Sequence, residues 1–350
     1  MAVLSDAQRE AGWTIAKLGD IAPLTYGKSL VASKRIPGDV PVYSSAGLID
    51  SHNESIIDGQ NIIIGRKGTI GSITWSEGPA YPIDTTFYTA GTEKVNIKYL
   101  YYLLKTYKFS EMNTDSAVPG LNRVTFESQE AVLLPLEEQE RIAGILGSLD
   151  DKIEANTRLI QTNKEYMTAL YKAEAKNGKV LELTDIADFV NGRAFTKDAT
   201  GTGRVVIRIA ELNNGLGAST VYNDIEVKEE NTAYPGDVLM SWSGSLDTYV
   251  WHLPEAIINQ HIFKVIPKGN YPKWLVYHAC KSVIEDFQAI AVDKATTMGH
   301  IRRGDLKRDI SIPAREMPQM ENLWNLWMNL EQENLQLAET RDALIKRLIG

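Results

Sequence analysis

The chain of 350 residues is poor in cysteine and has no long apolar run. Its single cysteine, Cys280, excludes a disulfide framework and a multi-cysteine metal site, and it is typical of a protein from a reducing compartment. No stretch of about 18 consecutive apolar residues is present, and residues 1–12 lack the apolar core of a signal peptide. We therefore expect a soluble protein of the cytoplasm.

Motifs for covalent chemistry are also missing. The run at 27–29 (Gly-Lys-Ser) is similar to the end of a phosphate-binding loop, but the glycine required five residues earlier is replaced by Ala22. The run at 201–203 (Gly-Thr-Gly) begins a dinucleotide-binding motif, but Val206 stands where the third glycine belongs. The 5 histidines show no metal-ligand spacing. We therefore predict that the chain holds no cofactor or metal and performs no catalysis itself.

The charge of the chain gives no sign of a dedicated nucleic-acid binder. Lys and Arg number 37 and Asp and Glu number 45, which gives a net charge of −8. The excess is spread evenly, because the segments 1–136, 137–176, 177–313 and 314–350 each carry −2. A small DNA-binding protein is usually basic. Any affinity for DNA must therefore come from local placement of Lys and Arg, or from a partner subunit.

An internal repeat is the most informative feature of the sequence. The matched segments are 18–22 with 183–187 at an offset of 165, 68–70 with 244–246 at an offset of 176, and 134–135 with 312–313. In the first pair, Leu-Gly-Asp-Ile-Ala returns as Leu-Thr-Asp-Ile-Ala, and a glycine and a basic residue follow each time. A period of about half the chain predicts a duplicated domain, since solenoid repeats are roughly 20–50 residues long.

Each half of the chain is predicted to combine strands and helices. Short apolar runs at 62–64, 205–207 and 238–240 follow glycines and are typical of buried strands. Apolar residues at helical spacing predict helices over 97–108 and 273–290. The second helix would carry His278 and Cys280, which we interpret as core residues and not as a catalytic pair.

A long helix is predicted to end each half. Apolar residues recur at alternating steps of 4 and 3, which is the spacing of a coiled-coil seam. The first seam is Ile142, Leu146, Leu149, Ile153, Asn156, Ile160, Asn163, Met167 and Leu170, and the second is Leu323, Trp327, Leu330, Asn334, Leu337, Arg341, Leu344 and Leu348. Polar residues in such seams typically fix register and partner. We expect the helices to pair antiparallel as a spacer; the alternative is that each lies on its own domain.

Several segments together resemble the type I restriction–modification specificity subunits, the HsdS family. The segments are 118–123 (Val-Pro-Gly-Leu-Asn-Arg), 134–142 (Leu-Pro-Leu-Glu-Glu-Gln-Glu-Arg-Ile), 149–156 (Leu-Asp-Asp-Lys-Ile-Glu-Ala-Asn), 241–244 (Ser-Trp-Ser-Gly), 258–263 (Ile-Asn-Gln-His-Ile-Phe) and 296–301 (Thr-Thr-Met-Gly-His-Ile). The resemblance covers residues 13–349. It is weakest at 314–318 (Ala-Arg-Glu-Met-Pro), where the family has a Pro-rich run followed by Glu-Glu-Gln.

The resemblance implies an α+β fold with two similar mixed α/β target recognition domains separated by two long antiparallel coiled-coil helices. The implied boundaries are 1–136 for the first domain, 137–176 for the central helix, 177–313 for the second domain and 314–350 for the distal helix. Each domain would read one half of a bipartite DNA target, and the helices would set the spacing and dock two methyltransferase (M) subunits. S-adenosylmethionine would then belong to the methyltransferase, and ATP and Mg to a restriction (R) subunit if one exists.

Three other functions remain open from the sequence. One is the specificity subunit of a related type II (IIB-like) enzyme, which also cuts DNA through its modification subunit. Another is an assembly scaffold that never reads bases. The third is a stand-alone enzyme, such as a fused methyltransferase–nuclease, against which the missing cofactor motifs argue.

The candidate DNA-contacting residues offer donors or acceptors that suit phosphate oxygens or base edges. In the first half they are Lys28, Ser29, Tyr43, Ser44, Ser45, Arg66, Lys67, Thr69, Asn122 and Arg123. In the second half they are Arg193, Ser241, Trp242, Ser243, Asn259, Gln260, His261, Thr297, His300, Arg302, Arg303 and Lys307.

These candidates differ between the two halves. The glycine-flanked basic loop at 65–69 is expected to approach DNA closely, although a solvated hairpin turn has the same pattern. The matching loop of the second half carries Trp242, for which a place in the core is the alternative. A basic cluster at 302–308 corresponds to Arg123 alone in the first half. We therefore expect the two halves to read different sequences.

Overall fold

The structure is a computed structural model that describes residues 3–112, 119–293 and 300–350. It divides into two compact units. The first unit comprises the described residues up to Asp151 together with Leu337–Gly350, and the second comprises the described residues of Lys152–Gln336. Among the described helices, none combines the length and the apolar character needed to cross a membrane.

The first unit is built from short strands and helices. Its strands are β1 (Thr14–Lys17), β2 (Thr25–Tyr26), β3 (Val40–Ser44), β4 (Gly47–His52), β5 (Asn61–Gly65), β6 (Ile73–Ser76), β7 (Tyr81–Pro82), β8 (Thr86–Thr89) and β9 (Glu130–Leu133). Its helices are α1 (Asp6–Glu10), α2 (Leu18–Ile21), α3 (Ile97–Lys105), α4 (Arg123–Glu127) and the beginning of α5 (Leu136–Ala175), with 3-10 turns at Ala32–Lys34 and Phe109–Met112.

The strands of the first unit form a four-stranded sheet in the order β2-β8-β5-β6, a three-stranded sheet β4-β3-β7 and a pair β1-β9. Strand β5 is buried along its whole length, as its apolar run at 62–64 predicts. Its Ile62 and Ile64 belong to one core with Phe87 of β8 and with Tyr99 and Leu103 of α3. Burial of these large apolar side chains stabilises the unit, at roughly 25 cal/mol for each Å² removed from water.

The second unit contains a set of strands and helices that corresponds to that of the first. Its strands are β10 (Lys179–Glu182), β11 (Ala187–Asn191), β12 (Arg204–Ile207), β13 (Val221–Asn223), β14 (Thr232–Ala233), β15 (Asp237–Ser241), β16 (Thr248–Trp251), β17 (Ala256–Ile258), β18 (Ile262–Pro267) and β19 (Asp309–Ile312). Its helices are the remainder of α5, α6 (Leu183–Ile186), α7 (Ile209–Asn214), α8 (Lys273–Ser282), α9 (Ile284–Asp293) and most of α10 (Pro318–Leu348), with 3-10 turns at Glu229–Asn231 and Arg303–Leu306.

The second unit repeats the sheet topology of the first. Its four-stranded sheet runs β11-β18-β15-β16, a second sheet runs β13-β12-β17-β14, and β10 pairs with β19. Strand β12 pairs antiparallel with β13 and parallel with β17, just as β3 pairs with β4 and β7. The predicted duplication and the mixed α and β composition are therefore confirmed.

A glycine at the same place in both units shows how closely the repeat is built. A Cβ atom on Gly27 would overlap the carbonyl oxygen of Ile83, and one on Gly192 would overlap that of Asn259. The glycine N–H donates to the strand beside it, from Gly27 to Thr86 at 3.1 Å and from Gly192 to Ile262 at 2.9 Å. Only glycine allows these two chain segments to approach so closely.

The polar residues of the long helices lie in helix–helix seams, as their spacing predicts. In the second unit Asn156 donates through its side chain to Glu333 at 2.7 Å, and Asn163 donates to the backbone oxygen of Leu323 at 2.8 Å. The later residue of α5 contacts the earlier residue of α10, so the two helices are antiparallel in this unit.

The seam segments of the first unit are joined by an ion pair. Arg341 of α10 donates to Asp150 of α5 at 2.7 Å, and Tyr102 of α3 donates to the same carboxylate at 2.6 Å. Both of these side chains are partly or fully buried. The polar seam residues therefore make specific partners in each unit.

Two predicted helices end earlier than expected. The helix predicted over 97–108 ends at Lys105. The helix predicted over 273–290 is wrong as one element, because Val283 leaves the helical conformation (φ −109°, ψ 2°) and separates α8 from α9. The apolar periodicity continues across this break, so that spacing alone could not reveal it.

Candidate nucleic-acid interface

The glycine-flanked loop that follows β5 has a fixed backbone. A Cβ atom on Gly65 would overlap the carbonyl oxygen of Thr69, and Gly68 has a φ of +78°. The backbone N–H groups of Arg66 and Lys67 both donate to the oxygen of Thr85, at 2.9 and 3.1 Å. Lys67 and Thr69 are exposed. The loop therefore presents polar side chains on a rigid support, which is what a binding surface needs.

Arg66 is positioned by two neighbours. Its Nη1 donates to the carbonyl oxygen of Asp84 at 3.1 Å, and its guanidinium carbon lies 5.0 Å from the ring centroid of Tyr26. The cation–π contact and the hydrogen bond hold the group in place, while a guanidinium has five N–H donors in all. Donors that the protein does not use remain for a carboxylate, phosphate or base.

The turn between β3 and β4 joins the same cluster. The backbone N–H of Ser45 donates to Thr85 Oγ1 at 3.3 Å, and Ser45 Oγ accepts from the N–H of Thr69 at 3.4 Å. Ser44 Oγ accepts from the N–H of Ala46 at 3.1 Å. The carbonyl of Tyr43 accepts from Ile83 at 2.8 Å. The structure thus brings 43–45 to the loop at 65–69, with Ser45 buried in a supporting role.

Further predicted residues of the first unit lie around this cluster. The N–H of Leu121 donates to the oxygen of Arg66 at 2.8 Å, which places the segment 119–123 against the loop. Asn122 caps α4 by accepting from the N–H groups of two following residues. Arg123 pairs with Glu127 at 2.7 Å. Lys28 and Ser29 are exposed just beyond β2. Asn122 and Arg123 therefore have local structural partners, and whether they also contact DNA stays a prediction.

The second unit builds the same loop with different side chains. The N–H of Trp242 donates to the oxygen of His261 at 3.0 Å, and its own oxygen accepts from Ile301 at 3.0 Å. These bonds match the Arg66–Thr85 and Leu121–Arg66 bonds at an offset of 176 and 180. The indole Nε1 of Trp242 donates to Asn191 at 2.6 Å. Trp242 is half-buried, so it is both a packing residue and part of the cluster surface.

His261 has an unusual conformation in this cluster. Its φ is +74°, in a region that L side chains rarely adopt, and its ring centroid lies 4.7 Å from that of Trp242. Its Nδ1 is buried and finds no hydrogen-bond partner among the described residues. Such strain collects at functional sites.

The neighbours of His261 divide into supporting and exposed residues. Asn259 is buried, and its side-chain oxygen accepts from the N–H of Phe195 at 3.0 Å. Gln260 and Arg193 are exposed, and the N–H of Gln260 donates to the oxygen of Arg193 at 2.8 Å. The structure therefore leaves two predicted contact residues facing outward and uses the third to hold the loop.

The two serines of the second loop are buried. Ser241 Oγ donates to the oxygen of Ser245 at 2.5 Å and accepts from the N–H of Asp247 at 2.9 Å. Ser243 forms an isolated bridge with His300, which is itself exposed. The hydroxyl of Ser241 therefore closes the loop from inside, and DNA contact by either serine stays untested.

The predicted basic cluster lies at a 3-10 turn. Arg302, Arg303 and Lys307 are exposed, and the backbone N–H of Arg302 donates to Asp305 at 2.7 Å. Thr297 lies outside the described residues. These three exposed cations suit contact with phosphates, and the same segment also carries Asp305 and Asp309.

Sequence reasoning missed three residues of the first cluster. Thr85 receives backbone and side-chain hydrogen bonds at its centre, Asp84 fixes Arg66, and Tyr26 lies beneath the guanidinium. The repeat contained the signal, because Thr85 lies 176 positions before His261, which was identified.

A family model described as the type I restriction modification DNA specificity domain matches residues 10–163 and 176–322. The chain belongs to this family. The resemblance seen in the sequence is thus confirmed, and the two matched copies of the specificity domain agree with the duplicated fold.

Other members of the specificity family show distant similarity to this chain. One from Haemophilus influenzae, named as a type I restriction enzyme specificity subunit, is 22% identical over 240 residues, which cover 63% of this chain and 62% of that protein. The type I restriction enzyme EcoBI specificity subunit of Escherichia coli is 26% identical over 113 residues, 31% of this chain and 23% of that protein. These matches thus span less than two thirds of either relative.

A solved specificity subunit has the same fold. The crystal structure of the type I restriction–modification system S subunit from M. genitalium matches with a TM-score of 0.58 at 16% identity. The match covers 100% of this chain and 98% of that one. At this identity the likeness establishes the fold alone.

Proposed function

We propose that the chain is the DNA-reading subunit of a type I restriction–modification complex, with each unit reading one half of a bipartite target. One observation carries the proposal. The two loop clusters have the same backbone bonds but differ in the side chains they present, Arg66 in one and Trp242 in the other. A shared support with different contact groups is what two readers of different sequences require, because sequence is read by side chains at base edges.

The recognition domains in this proposal are 1–136 and 177–313. Their exposed polar residues divide into two kinds. Lys28, Lys67, Arg302 and Lys307 suit phosphate contact, since a lysine or arginine neutralises one phosphate without reading sequence. Arg66, with a guanidinium held at a fixed place, suits bidentate contact with guanine.

The partners in this proposal are two methyltransferase subunits docked on the outer sides of the long helices, at 137–172 and 320–348. In the second unit Leu159 and Tyr166 of α5, spaced by seven residues, are 45% and 55% exposed. Apolar side chains repeated on one outer helix face suit a partner helix. S-adenosylmethionine would be bound by the methyltransferase, ATP and Mg by a restriction subunit where one is present, and the complex would act in the cytoplasm without catalysis by this chain.

The decisive experiment is to purify the chain with a type I adenine methyltransferase (M) subunit from the same genome and to map N6-methyladenine in DNA exposed to the complex. We expect a split motif of two short sequences with a fixed spacer. A stable complex that methylates without sequence preference would contradict the proposal and support an assembly scaffold. Methyl transfer by the chain alone would instead make it an enzyme.

A further inference from the structure

A groove of about 660 Å³ lies in the second unit between α5 and α8. Its walls include Lys164 and Lys172 from α5 and Lys281 from α8, and aromatic residues of both helices form its floor. These three lysines share the lining with one carboxylate, Glu165, so the groove carries a net positive charge in a chain whose net charge is −8. The groove is separate from the recognition cluster and contains none of its residues.

Lys164 forms no ion pair among the described residues, and Glu331 is the carboxylate whose charge acts on it. The Nζ of Lys164 lies 4.3 Å from the ring centroid of Trp327, and its backbone carbonyl oxygen accepts a hydrogen bond from the Thr168 hydroxyl at 2.8 Å. Burial lowers the pKa of this lysine. A partly buried ammonium group is costly unless an opposite charge meets it, so the position favours an anionic ligand.

A second polar group in the groove also lacks a partner. His278 is 3% exposed, and its Nε2 has no hydrogen-bond partner among the described residues. Its ring stacks on that of Tyr171 with the centroids 5.3 Å apart. A buried polar atom without a partner usually indicates a missing water, ion or ligand. Both groups line the groove, Lys164 from α5 and His278 from α8.

Lys281 connects the groove to the recognition loop. Its Nζ lies 2.6 Å from Asp247, the residue that ends the loop begun by Trp242. Gln288 of α9 donates to the carbonyl oxygen of Leu246 in the same loop at 3.0 Å. A ligand that attracts Lys281 would therefore also act on the loop that carries Trp242.

We propose that this groove binds a backbone phosphate of the DNA beside the second half-site, through Lys164 and Lys281. The inference rests on the proposed function and adds a phosphate site to it. Without DNA, Asp247 neutralises Lys281. The phosphodiester takes over that role and places a second negative charge beside the partly buried Lys164. DNA is the source of the phosphate because Lys281 is joined directly to the recognition loop.

The test measures the affinity of the full-length chain, purified with its methyltransferase, for a duplex carrying the mapped target and for a scrambled duplex, at several salt concentrations. Each phosphate contact contributes about 0.9 to the slope of log affinity against log salt. We expect Lys164→Gln and Lys281→Gln each to lower the slope by about 0.9 on both duplexes. Asp247→Asn should strengthen binding to both, since it frees Lys281.

Lys228→Gln is the matched control, because it removes the same charge from an exposed lysine near the opposite end of β15, beside Glu230. It should leave the slope unchanged. Thermal unfolding of each variant separates lost contacts from lost folding.

Three outcomes would overturn the inference. The first is an unchanged salt slope in both lysine variants, and the second is a loss of affinity for the target duplex alone. The third is that inorganic phosphate protects Lys164 from acetylation and yet leaves duplex binding intact. If the unmodified complex shows no preference for any sequence, the proposed function itself fails, which is a different result.

Discussion

The two units share one sheet topology but present different side chains on their loop clusters. Where the first unit places Arg66 over Tyr26, the second places Trp242 against Asn191, at positions related by the repeat. Where the first has Thr85 as a hydrogen-bonding centre, the second has His261 with an unpartnered Nδ1. Backbone bonds between the same positions are kept in both units. Duplication thus preserved what supports the loop and changed what the loop presents.

The largest effect should come from breaking what the units share. Gly27→Ala and Gly192→Ala each force a Cβ atom onto a backbone carbonyl that cannot rotate away. We expect either change to lower the free energy of unfolding of its unit by about 3 kcal/mol, the upper end of the usual overpacking cost, because the backbone itself would have to shift. Urea unfolding with hydrogen exchange resolved by unit would measure it. Gly78→Ala and Gly217→Ala, which meet nothing within 4 Å, are the controls and should be nearly neutral.

The next largest difference between the units should be the effect of acid on their stability. His278 occupies the position of Tyr102, 176 residues apart, and burial, with a smaller effect of Lys281, lowers the pKa of His278 to about 4. The unfolded chain binds the proton near pH 6.5 and the folded chain does not. Stability is therefore full above about pH 6.5 and falls as the pH approaches 4, by as much as about 3 kcal/mol.

The check is the unfolding free energy of each unit between pH 7 and pH 4.5. His278→Phe should make the stability of the second unit nearly independent of pH in this range. Tyr102→Phe should lower the stability of the first unit by an amount that does not change with pH, because Tyr102 only donates a hydrogen bond to Asp150. Equal acid sensitivity in both units would contradict the assignment.

Changes in DNA sequence specificity should also differ between the units. Arg66→Ala removes a held guanidinium from the first cluster alone, and loss of such a base contact typically costs about 1–3 kcal/mol. Methylation maps should show the first half-site relaxed and the second unchanged, and Trp242→Ala should show the reverse. Arg66→Lys keeps the charge but not the fork of donors, so it should also relax the half-site. Relaxation of both half-sites by one variant would argue against independent readers.

The smallest effect concerns phosphate contacts at matching turns. Arg302 is exposed, whereas Arg123 is held by Glu127. We expect Arg302→Gln to lower the salt slope of DNA binding by about 1 for any sequence, and Arg123→Gln to leave it unchanged. A salt titration of both variants would decide it, and equal slopes would remove the contrast.

Much of the architecture was predictable from residue spacing. The repeated Leu-x-Asp-Ile-Ala segments are α2 and α6 with the residues that follow, and the polar seam residues Asn156 and Asn163 meet α10 as their period indicates. The break at Val283 was not predictable, because apolar periodicity is the same on both sides of it. The burial of Ser241 was not predictable either, because serine is mostly an exposed residue.

The sequence by itself determined the duplication, the mixed fold of each half, the coiled-coil spacing of residues along the long helices, and the family. These depend on periodicity and on the order of short motifs, which are local properties of the chain. Only the tertiary structure decided that Thr85 is the centre of the first cluster, that Ser45, Ser241 and Asn259 support loops from inside, and that Lys164 and Lys281 face one groove. Those facts depend on which distant segments meet, and a side chain's neighbours are set by packing and not by its own residue type.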